Sequence, residues 1–127
     1  MFKVIKWKAS LRVANERKVT KLLKRYAAAS GQRMTLLNCE RCWKDRTLFQ
    51  VEFTSPLYVE TISEAIFLTL CTCNNLHLNW NVTGPFGYDD GLWEFRGYTM
   101  NYAQGIESVG FCINNFAEAD TRNEFHG

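Results

Sequence analysis

The chain has no run of about 18 consecutive apolar residues, so no segment reads as a membrane-spanning helix. Its first dozen residues, MFKVIKWKASLR, carry Lys every few positions and no apolar core of a secretory leader. The expectation is a cytoplasmic protein with no membrane partner. Five cysteines is an odd number, and without a secretion signal a disulfide framework is not expected. Two prolines in 127 residues leave no Pro-rich linker. The reading is therefore one domain, residues 1–116, followed by a polar tail, 117–127, that holds a lone Phe125. Phosphate-cradling glycine loops and nucleophile motifs are missing, and with two histidines the stock of general bases is small. No cofactor is expected.

Acidic residues are almost missing from the first quarter of the chain. Residues 1–33 hold ten basic side chains and one acid, a balance of +9; residues 34–127 hold five basic and twelve acidic ones, −7. The net +2 hides this asymmetry. Such a division suggests a basic patch that meets something acidic. The plainer reading is a solvated helix face balanced by the protein's own acidic strands.

What is present is periodicity. Residues 2–9 alternate, with Ile5, Trp7 and Ala9 on one side and Phe2, Val4, Lys6 and Lys8 on the other. Asn15 is a natural N-cap for a helix over Glu16–Ser30, whose Val19, Leu22, Leu23, Tyr26 and Ala27 recur at helical spacing, and Gly31 supplies the stop. Residues 33–39 and 47–53 read as strands. Ser55-Pro56 then predicts a second helix with Val59, Ile62, Ile66 and Leu70 as its apolar stripe, ended by Asn74-Asn75 in the left-handed conformation. Leu76, Leu78, Trp80 and Val82 alternate with His77, Asn79 and Asn81, predicting a strand over 76–82. A turn-rich loop over 83–91, a strand over 92–99 and a last strand over 106–113, with Val109, Phe111 and Ile113 on one side, complete the order. The resulting β-α-β-β-α-β-β-β order predicts an α+β fold: an antiparallel sheet with two helices on one face, ferredoxin-like βαββαβ extended by two C-terminal strands.

Four features carry candidate chemistry. Cys39-x-x-Cys42 and Cys71-x-Cys73 resemble two halves of a thiolate zinc site, but the second half falls on a predicted helix; buried free thiols are the plainer reading, and no metal is expected. His77, with Asn79 beside it and Glu94 or Arg96 across the predicted hairpin, has the ingredients of a base on a rigid strand, against the plainer reading of an exposed polar histidine. The basic helix, through Lys18, Lys21, Lys24 and Arg25, and an open sheet face carrying Trp7 and Tyr98, suit RNA or a nucleotide. The predicted loop displays Phe86 and Tyr88 beside Asp89 and Asp90, the mix of aromatics and charge used at protein interfaces.

The leading expectation is a non-enzymatic protein-binding module of the immunity or antitoxin type. It occludes a toxin or enzyme with His77, Asn79, Asn81, Glu94 and Arg96 as hydrogen-bonding groups and Phe86, Tyr88 and Trp93 as anchors, beside Asp89 and Asp90. Nucleic-acid binding through the basic helix is the rival, and a small molecule under the open sheet face comes third.

Overall fold

A computed structural model describes residues 1–76, 79–100 and 105–116. The tail over 117–127, with Phe125, lies outside the described residues, as does His77. The first strand, β1 (Phe2–Leu11), keeps the predicted alternation: Ile5, Trp7 and Ala9 are buried while Lys6 and Lys8 are exposed. Phe2 departs from it. The pairing shifts between Phe2 and Val4, and Phe2 joins the core rather than the Lys face.

Helix α1 (Glu16–Ser30) forms as read. The Asn15 side chain accepts from the Lys18 N–H at 3.1 Å, and Gly31 closes the helix at φ 72° with its N–H on the Ala27 carbonyl. Val19, Leu22, Leu23 and Tyr26 are buried against the sheet. Each large apolar side chain withdrawn from water contributes roughly 1.5–3 kcal/mol, which is what ties this highly charged helix down.

After β2 (Thr35–Arg41), strand β3 runs over Phe49–Val59, six residues further than expected. Ser55-Pro56 therefore does not open a helix. The Ser55 hydroxyl accepts the buried Trp7 indole N–H at 3.0 Å, and Ser55 and Pro56 pair with Ile5 and Val4 of β1. Pro56 also lies past Thr54, the end of the β2 ladder, where β3 has one neighbour and a missing N–H is tolerated. Helix α2 (Ile62–Asn75) starts instead at Thr61, whose hydroxyl accepts the Glu64 N–H at 3.2 Å. Its stripe changes with it: Ala65, Thr69, Thr72 and Cys73 are buried, and Leu70 is exposed together with Phe67 and Leu68. The helix ends at Asn75 with Leu76 in the right-handed region, not on a left-handed Asn.

The remaining strands are β4 (Asn81–Gly87), β5 (Trp93–Met100) and β6 (Ile106–Asn114). Leu76 caps α2, and Asn79 and Trp80 lie outside regular structure; among the described residues of the strand expected over 76–82, only Asn81 and Val82 are strand, and Leu78, like His77, lies outside the described residues. Helix length enters here: α2 claims residues up to 75, and β4 pairs from Asn81, opposite Tyr98. The sheet order is β2-β3-β1-β6-β5-β4, with every neighbouring pair antiparallel. The architecture is thus α+β, a six-stranded antiparallel sheet with two helices, and its strand order differs from a simple βαββαβ because β6, not β4, lies against β1.

The core gathers on the helix side of the central strands. Trp7 stacks on Phe53 at 6.0 Å and meets Trp80 and Phe111 edge-on, while Tyr26 stacks on Phe53 from α1. Val109, Phe111 and Ile113 are buried as their spacing predicts. Among the described residues no helix is long and apolar enough to cross a membrane.

Candidate binding surfaces on the open sheet and the outer hairpin

Strand β4 is the outermost strand on its side of the sheet, and all seven of its residues are exposed. Asn81 stands opposite Tyr98 and Thr83 opposite Arg96, so these four share the face away from the helices. Between Thr83 and Phe86 the register shifts at Gly84-Pro85, a cis peptide bond, and Phe86 then pairs with Glu94. A proline and a bulge blunt this edge against adding another strand, so recognition here falls to side chains. The loop expected over 83–91 is shorter than read, because Thr83–Gly87 are strand; only a single turn over Asp89–Gly91 separates β4 from β5.

That turn is held from outside the hairpin. The Asn115 side chain accepts the Trp93 N–H at 2.7 Å and donates to the Gly91 carbonyl at 3.1 Å. Tyr88 donates its N–H to the Leu92 carbonyl, and its ring meets Phe116 edge-on at 6.0 Å. Phe86 (43% exposed) and Tyr88 (50%) thus stay in water beside an ordered frame, and Val82 (47%) is exposed further along β4. Neither Asn115 nor Phe116 was singled out by sequence; a lone Asn after a strand carries no signal until the turn is seen against it.

Glu94 is only 7% exposed and is bound by the Arg96 guanidinium; the carboxylate beside it raises the Arg96 pKa. The pair is held together by its own partners and fixes the direction of Arg96 on the open face. Asp89 and Asp90 sit exposed in the turn. Trp93 is half-buried and packs against the core, with Gly87 close beside its ring. Asn79 is exposed ahead of β4, and His77, the centre of the catalytic idea, lies outside the described residues.

On the open face Lys6, Lys8, Arg96, Tyr98, Gly110 and Cys112 line a solvent-open hollow of about 670 Å³. Lys8 is 3.8 Å from Glu52 at the surface, a pair of small energetic weight. Trp7 is not part of this face. It is 1% exposed on the helix side, because its large ring and its bond to Ser55 belong to the core, so it cannot stack a base.

The cysteines divide by environment. Burial pushes the Cys73 thiol up to about 12, whereas the backbone N–H groups of Asp45 and Lys44 draw the Cys42 thiol below its usual value. Cys39 is half-buried, its pKa raised by burial and then by Glu16, and Cys71 is exposed on α2. Among the described residues no three His, Cys, Asp or Glu side chains converge as metal ligands. Reactivity follows thiolate fraction and access. Native protein treated with a water-soluble disulfide reagent should label Cys42 and Cys71, with Cys73 reacting only after denaturation. Peptide mapping that finds Cys73 labelled as fast as Cys42 would contradict this placement.

No protein-family model matches the chain, and no curated protein and no solved structure is detectably similar to it.

Proposed function

We propose that the protein is a binding module that acts by occluding a partner protein with its outer β4–β5 hairpin. The observation that carries this reading is the pair Phe86 and Tyr88, left in solvent beside a turn that Asn115 and Phe116 hold in place. Exposed aromatics on an ordered frame lose little entropy on binding, and such residues dominate interface energetics. Arg96, aimed by Glu94, adds a charged group of fixed direction beside them. The finer form of the proposal is a non-enzymatic inhibitor of the immunity or antitoxin kind, working in stoichiometric complex.

The fold is read in the same spirit as a ferredoxin-like core whose fourth strand position is filled by the last strand of a β4-β5-β6 meander. The neighbouring order β2-β3-β1-β6 supports that reading. On it the β4–β5 hairpin is the appended element, with β4 at the margin of the sheet.

The test is capture by the immobilised chain, comparing wild type with a Phe86→Ala/Tyr88→Ala variant. The expected result is a partner retained by wild type and lost by the variant, since a central aromatic anchor is worth about 2 kcal/mol or more. Capture of the same proteins by both would remove the hairpin from the interface.

A further inference from the structure

At the far side of the sheet from the hairpin, the tertiary structure assembles a basic corner from four separate segments. One solvent-open hollow of about 490 Å³ is lined by Arg12, Val13, Lys18, Arg41, Arg46 and Thr47, among others. A second, of about 330 Å³, shares Val13 and Lys18 and adds Lys21 and Arg25. The end of β1, the first two turns and middle of α1, the end of β2 and the β2–β3 loop thus place six cations around Val13. Arg12 is neutralised locally by Glu107 at 2.6 Å and Asp45 at 3.6 Å. Arg41 is positioned rather than neutralised: it donates to the carbonyls of Arg46 and Ala14 and lies 4.4 Å over the Phe49 ring. Lys18, Lys21, Arg25 and Arg46 have no carboxylate partner among the described residues. Fixed positive charge of this density is built to meet a polyanion.

A second observation says which polyanion. Trp43, in the loop over 42–48, is 79% exposed, more than any other large apolar side chain described. The loop beneath it is ordered: Cys42 donates to the Leu48 carbonyl, and Asp45 accepts from both the N–H and the hydroxyl of Thr47. The hydrogen bonds from Thr47, with Arg12 nearby, keep the Asp45 carboxyl below the usual range and hence ionised in this role. Trp43 is three residues from Arg46, so their backbones lie within about 10 Å. A flat indole held in water in the same loop as Arg46, with Lys44 Nζ 5.3 Å from its ring, matches a ligand that carries both phosphates and accessible ring faces. Single strands present such faces; duplexes bury them. An acidic peptide would satisfy the cations and leave the indole unused.

We propose that this corner binds single-stranded nucleic acid without strong sequence preference, the phosphates meeting Lys18, Lys21, Arg25, Arg41 and Arg46 while a base stacks on Trp43. The site is separate from the hairpin proposed above to contact protein, so either can fail alone.

The experiment is titration of the full chain with a fluorescently labelled, mixed-sequence single-stranded RNA of about a dozen nucleotides. Expected are saturable binding at low salt, quenching of tryptophan emission, and an affinity that falls ~100-fold between about 50 and 200 mM salt, as roughly five phosphate contacts on a single strand require. A Lys21→Ala/Arg25→Ala/Arg46→Ala variant should bind at least ~10-fold more weakly. Trp43→Ala should lose ~10-fold and the quenching. Phe86→Ala/Tyr88→Ala and Lys6→Ala/Lys8→Ala should bind as wild type does, which separates this site from the hairpin and from general surface charge. Absence of binding at low salt would overturn the proposal. So would equal or tighter binding of a duplex or of phosphatidylserine vesicles, or an unchanged affinity in the triple variant.

Discussion

Replacing Trp7 with Ala should lower the unfolding free energy by about 3–5 kcal/mol, the range for deleting a large buried aromatic. The ring is 1% exposed and touches three others: it stacks on Phe53 with an interplanar angle of 8° and meets Trp80 and Phe111 at 64°. Removing it leaves a void where strands β3, β1 and β6 share their packing, and strips the Ser55 hydroxyl of its indole donor. Domains of this size have about 5–15 kcal/mol in total, so the variant should sit near the edge of folding. Trp7→Phe separates the two contributions. It keeps most of the packing and loses the N–H, and should cost about 1–3 kcal/mol. Urea denaturation followed by far-ultraviolet circular dichroism measures both. A Trp7→Ala variant within 1 kcal/mol of wild type by that measure, small against the about 3–5 kcal/mol expected, would mean that Trp7 faces the open side, and the β1 register would be wrong.

The second large effect is expected at Gly97, in the middle of β5. A Cβ built there would lie 2.5 Å from Cζ of the Phe111 ring, with Cε2 closer still, and 3.2 Å from the Asn81 carbonyl oxygen. Phe111 is itself buried, wedged between Trp7, Trp80 and Phe95. The ring has no room to retreat, so even Gly97→Ala should destabilise by about 1–3 kcal/mol through overpacking. Backbone preference alone predicts a different outcome, since alanine is slightly better than glycine within a strand. The sign of the effect therefore discriminates between the two causes. Adding Phe111→Leu should recover part of the loss, a coupling between contacting residues that a double-mutant cycle reads directly. Two independent, additive losses would show that the ring does not lie on Gly97.

Much of the local structure was legible from residues alone, and the cases differ for physical reasons. Helix α1 was readable to its last residue because every local signal agrees: Asn15, the 3.6-residue stripe and Gly31. Helix α2 was misread because two signals competed. Ser55-Pro56 satisfies the local chemistry of a helix start, yet Thr61-x-x-Glu64 is also a capping sequence, and the pairing of β3 with β1 as far as Val59 decided between them. The outer hairpin was found with its second strand one residue off and its first strand beginning about five residues later than read, since alternation looks the same whether or not a neighbouring strand is there to pair.

For the candidate sites the division falls elsewhere. Residue types were legible in the chain: aromatics and acids near 86–90, lysines and arginines up to residue 33, and an alternation within each strand that groups Trp7 with Ile5 and Ala9, and Phe111 with Val109 and Ile113. Their company was set by the fold. It buried Trp7 and so withdrew it from any ligand, turned Trp93 into the core margin, and brought Asn115 and Phe116 under the hairpin turn. It also joined Arg41 and Arg46 to Lys18 of α1 around one hollow. Local pattern is set by neighbours a few residues away, and a chain reads those directly. A binding surface is set by segments that meet only after the sheet has chosen its strand order, and that choice is made by the whole core at once.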